Sequence, residues 1–93
     1  MLKKKLERHI NAFLKSYLET TEEFKELNDT DQLYIYSVLR KLLTLIYQVI
    51  KYPNVYPLLL VQNYKSKQII QKAFKEVELI IPTINNIKIE VVN

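Results

Sequence analysis

A chain of 93 residues with 14 basic and 10 acidic side chains carries a net charge of +4 and contains neither cysteine nor glycine. Without cysteine there is no disulfide and no thiolate metal site, and the single histidine, His9, excludes a site built on two imidazoles. This length makes one domain, residues 1–93, whose core is small enough that self-association is the supplement left open.

The first helix is expected over about residues 2–27. Leu6, Ile10, Phe13, Tyr17, Thr20, Phe24 and Leu27 recur at steps of three and four, and Leu14 and Leu18 widen the apolar stripe. The basic start, residues 1–5, resembles the head of a signal peptide, but Glu7, Arg8, His9 and Asn11 interrupt any apolar run behind it. The expected setting is therefore the cytoplasm. Residues 28–32 break the pattern, and Asp29 with Gln32 three positions later fits a capping box.

The second helix is expected over about residues 30–51. Ser37, Arg40, Lys41, Thr44, Gln48 and Lys51 form one narrow polar stripe, and nearly every other position is apolar or tyrosine. With the first helix it makes a long antiparallel hairpin. A helix apolar over most of its circumference needs neighbours on several sides. This predicts a homo-oligomer whose interface uses Phe13 and Tyr17 of the first helix and Tyr36, Leu43, Tyr47 and Ile50 of the second. The apolar run at residues 42–50 is too short for a bilayer, which takes about 20 residues, so no membrane span is expected.

Pro53 ends the second helix, and residues 52–57 form a turn. A third helical region covers about residues 57–77, broken near 63–66, with Leu58 to Val61 readable as short helix or strand. Its second half is amphipathic: Ile69, Ile70, Ala73, Phe74 and Val77 share one face, and Ser66 is the expected N-cap. The tail alternates as Ile87, Lys88, Ile89, Glu90 and Val91, which predicts a β-hairpin turning at Asn85-Asn86. The rival arrangement extends the third helix to Ile81 and leaves a single strand in need of a partner. The fold class is mainly α, three helices with a short C-terminal β-hairpin or strand.

Catalysis is not expected. Ser16, Ser37 and Ser66 have only His9 as a base, and no glycine-rich loop exists to cradle a phosphate. The carboxylates Glu19, Glu22, Glu23 and Glu26 read better as a solvated acidic face than as a cation site. No cofactor or metal is predicted. The distribution of charge is more informative. Residues 32–75 carry Arg40, Lys41, Lys51, Lys65, Lys67, Lys72 and Lys75 without a single acid. A lysine-rich coding bias raises the basic count, but it does not remove every acid from so long a stretch.

The stretch SKQIIQKAF, residues 66–74, resembles the recognition helix of helix-turn-helix proteins in Ser66, Ile70 and the pair Ala73-Phe74. It departs from that pattern at Leu60, Tyr64 and Lys65. The resemblance implies DNA or RNA as partner. Lys65, Lys67, Lys72 and Lys75 would neutralise phosphates, with Arg40 and Lys41 adding charge, and Gln68 and Gln71 would reach base edges. Tyr52, Tyr56 and Tyr64, in or near turns, are the aromatics free to stack on a base. The competing expectation is a protein-binding adaptor or assembly subunit that meets no nucleic acid, its third helix being an ordinary amphipathic one with a solvated lysine face.

Overall fold

The computed structural model of the protein describes residues 2–92. The chain is mainly α. It runs as α1 (Leu2–Glu19), α2 (Glu22–Lys25), α3 (Asp29–Lys51), β1 (Leu58–Val61), α4 (Tyr64–Glu78), a 3-10 turn (Pro82–Asn86) and β2 (Lys88–Val91).

The first predicted helix is two. Thr20 and Thr21 each turn their hydroxyl back to the Tyr17 carbonyl at 2.8 Å, and the Thr20 N–H bonds the same oxygen at 3.2 Å. Side-chain hydroxyls competing for the last carbonyls of a helix favour its termination. Only α2, a single turn, follows before α3. The cap of α3 is Asn28, one residue before the predicted Asp29, and its side chain accepts from the Asp31 N–H at 2.8 Å. Gln32 does not close a capping box. Its amide donates to the carbonyls of Phe24 and Leu27 at 3.1 and 3.2 Å, tying α2 to the start of α3.

Helices α1 and α3 form the expected antiparallel pair. Glu19, at the end of α1, meets Tyr36 near the start of α3, and Lys4 and Arg8 lie beside Arg40 and Leu43. Helix α3 is the centre of the core: Ile35, Val38, Leu39, Leu42, Ile46 and Val49 are all buried. It packs against α1, β1, α4 and the 3-10 turn. The neighbours that its wide apolar surface calls for thus come largely from its own chain. Of the residues predicted at an interface, Tyr17, Tyr36, Leu43 and Ile50 pack partly buried against this core, Tyr47 is half-buried, and Phe13 is exposed. By length and composition the whole of α3, rather than the run at 42–50, is sufficient to cross a membrane. Its exposed stripe still carries Arg40 and Lys41 near mid-helix, which hydrocarbon would penalise.

The sheet corrects the hairpin expectation in favour of the single-strand arrangement. Strand β2 pairs with β1 and runs parallel to it, in the register Leu58↔Lys88 to Val61↔Val91. Parallel neighbours need a crossover, which α4 and the 3-10 turn supply. Asn85-Asn86 closes the 3-10 turn instead of a hairpin; no described residue has the positive φ that a tight hairpin turn requires. Leu59, Val61 and Ile89 face the core, while Leu58, Leu60, Lys88 and Glu90 face outward. The Tyr34 hydroxyl of α3 accepts from the Gln62 N–H at 2.7 Å and fixes the far end of β1.

The α4 cap is likewise displaced. Asn63, not Ser66, holds the helix start, its side chain accepting from the Ser66 N–H at 2.8 Å, and Ser66 itself is buried. Asn63→Ala should therefore lower stability by about 1 kcal/mol in urea denaturation, more than Ser66→Ala does. The reverse order would restore Ser66 as the cap.

Candidate nucleic-acid interface

Helix α4 is amphipathic along its whole length. Ile69, Ile70, Ala73, Phe74 and Val77 enter the core, which turns Lys65, Gln68, Gln71, Lys72 and Lys75 outward. Those five residues, with Tyr64 at the helix start and Glu23 from α2, line an open groove of about 340 Å³. Tyr64 is 64% exposed. The arrangement places an aromatic face, two amides and a row of ammonium groups on one surface.

Charge within the groove is uneven. Lys72 donates to the Glu23 carboxylate in an ion pair across to α2. That hydrogen bond holds the Glu23 carboxyl below its ordinary pKa and raises the Lys72 ammonium above its own. The pair is exposed, so it contributes little to stability, but it neutralises Lys72. The positive charge the groove presents without an ion-pair partner among the described residues is that of Lys65 and Lys75. Of the acidic stretch, Glu23 reaches Lys72 of α4, Glu22 pairs with Lys25 within α2 at 3.9 Å, and Glu19 accepts from the Tyr36 hydroxyl at 3.4 Å. Burial and the Glu19 carboxylate raise the Tyr36 hydroxyl pKa.

The predicted basic residues converge only in part: Lys65, Lys72 and Lys75 share the α4 groove, and the other three lie outside it. Lys67 lies on the other flank of α4, in a groove shared with Lys88 and Glu90 of β2. Lys41 borders an apolar groove with Leu45, Leu58 and Leu60. Arg40 lies against α1, beside Lys4, Arg8 and Asn11. An acid-free stretch of sequence is therefore spread over several faces, because α3 and α4 present their exposed stripes in different directions.

The helix-turn-helix arrangement is absent among the described residues. The segment that would form its first helix is β1, and α4 is followed by the 3-10 turn and β2 rather than by the expected hairpin. Sequence reading also missed Glu23 and a polar stripe of four residues on α1. Glu23 enters the groove through the α1–α2 break, which apolar periodicity did not reveal. Lys4, Arg8, Asn11 and Lys15 recur at steps of four, three and four, a visible stripe whose meeting with Arg40 depends on tertiary packing. Among the described residues no group of three or more His, Asp or Glu is arranged to hold a metal ion. No protein-family model, no curated protein and no solved structure matches the chain.

Proposed function

We propose that this chain is a non-catalytic nucleic-acid-binding protein that uses the α4 groove. The observation that carries the reading is the gathering of Tyr64, Lys65, Gln68, Gln71 and Lys75 in one open groove. Lys65 and Lys75 neutralise backbone phosphates, the exposed Tyr64 ring stacks on an unpaired base, and the glutamine amides contact base edges or sugar. Lys72 joins only by exchanging Glu23 for a phosphate.

Fluorescence anisotropy with a labelled duplex and a labelled single strand, each across a salt series, tests this. Binding should weaken linearly in log–log form as salt rises. The double variant Lys65→Gln/Lys75→Gln should reduce that slope by about 2, one phosphate contact for each lysine lost. Absence of binding to either probe at low salt would overturn the proposal.

One observation favours a second reading, a protein-contacting module. Residues 52–64 contain no charged side chain, yet Tyr52, Val55, Tyr56, Leu58, Leu60 and Tyr64 are all exposed there. A neutral segment so rich in exposed apolar and aromatic groups suits a protein surface better than a phosphate backbone. Substituting Tyr56 and Leu60 with serine should leave nucleic-acid affinity unchanged if α4 is the binding face.

A further inference from the structure

Lysine outnumbers arginine twelve to two in this chain. The two arginines stand on different helices, Arg8 on α1 and Arg40 on α3, yet both line one groove with Lys4, Asn11 and Leu43. Asn11 and Arg40 also belong to the adjoining groove, which carries Lys15 and Tyr36 further along the same seam. There the Lys15 ammonium lies 5.8 Å from the centre of the Tyr36 ring. Among the described residues the only acid lining this seam is Glu19, at the far end, where it accepts from the Tyr36 hydroxyl. Among the described residues neither arginine has a carboxylate partner.

Arginine differs from lysine in its planar fork of donors, which matches two oxygens of one phosphate at once. In a chain that uses lysine for nearly every positive charge, both arginines line one groove, together with the amide-bearing Asn11. We infer that the α1–α3 seam is a phosphate-binding site whose ligands are the guanidinium groups of Arg8 and Arg40, with Asn11 donating a further hydrogen bond and Lys4 supplying charge. It shares no residue with the α4 groove, so it is a second site. The phosphate belongs either to a nucleic-acid backbone or to a free phosphorylated molecule.

The scarcity of arginine makes the test direct, because the side-chain Nε–Hε region of the NMR spectrum holds only two signals. The intact chain is titrated with inorganic pyrophosphate, with a mononucleotide and with a short DNA duplex. Both arginine signals should shift together with at least one of these. Shifts with the duplex alone assign the phosphate to a nucleic-acid backbone, and shifts with pyrophosphate or the mononucleotide assign it to a free molecule. Arg8→Lys and Arg40→Lys keep the charge and lie on exposed positions, so the fold should survive, which a thermal melt checks. Each should weaken binding of the responding ligand by about tenfold, through loss of the paired, charge-assisted hydrogen bonds. Signals unmoved by all three titrants, or lysine variants that bind as tightly as the parent, would overturn the site. The Lys65→Gln/Lys75→Gln variant should still show both shifts, which separates failure here from failure of the α4 groove.

Discussion

Removal of residues 87–93 should abolish cooperative thermal unfolding or lower the melting temperature by about 20 °C or more. The deleted segment contains Ile87 and Ile89, each only 5% exposed, and the half-buried Val91. Burying one isoleucine contributes about 1.5–3 kcal/mol, and a domain of this size is stable by roughly 5–15 kcal/mol in total. The loss extends beyond the deleted atoms. The Lys88 N–H bonds the Pro57 carbonyl and the Val92 N–H bonds the Val61 carbonyl, both at 2.9 Å, and those acceptors would be left to solvent. Leu59 and Val61, now buried, would lose the strand that covers their edge. Circular dichroism during heating measures the effect, and a parental melt would show that β2 contributes nothing to the core.

The second large effect is expected in the middle of α3. Leu42 is fully buried, in the helix that packs against α1, β1, α4 and the 3-10 turn. Leu42→Ala removes its packing and leaves a cavity that surrounding helices cannot fully close, at a cost of about 3 kcal/mol. Leu33→Ala, on the same helix but at a position 68% exposed, should change stability by less than about 0.5 kcal/mol. Urea midpoints of the two variants read the contrast directly. Equal losses would mean that α3 is not seated as described.

Features encoded over one or two turns were legible from the residues alone. The apolar spacing of Ile69, Ile70, Ala73, Phe74 and Val77 is that of the buried face of α4. In α1, by contrast, the buried line is Ile10 with Leu14 and Leu18, the two residues read as widening the stripe, while Phe13 of the stripe itself is exposed. Caps were displaced, by one residue at Asn28 and by three at Asn63, because asparagine, aspartate and serine are near-equivalent caps and periodicity does not choose among them. The break after Glu19 had a faint signal in Thr20, the one polar member of the first apolar stripe. The sheet was hidden for a different reason. Its strands are four residues each and lie thirty positions apart in register, so neither identifies its partner locally. The alternating tail looked like half of a hairpin because alternation reports that one face is buried, not which strand stands alongside. The candidate grooves were half legible: the outward stripe of α4 follows from helical spacing, whereas the entry of Glu23 and the meeting of Arg8 with Arg40 depend on packing between helices.

The parallel pairing also constrains how the chain is made. On a ribosome, α1, α2, α3, β1 and α4 all emerge before β2, the last strand in chain order. Until β2 arrives, β1 has no partner, and Leu59 and Val61 remain uncovered in the nascent chain. The helical part can assemble through local contacts, but the sheet waits for a long loop to close, which is the slow kind of step in folding. During that interval β1 is an uncharged, leucine-rich strand with a free edge, the form most open to pairing with another chain. Completion of this small sheet pairs one edge of β1 and covers Leu59 and Val61, while its other edge and the exposed Leu58 and Leu60 remain open in the folded molecule.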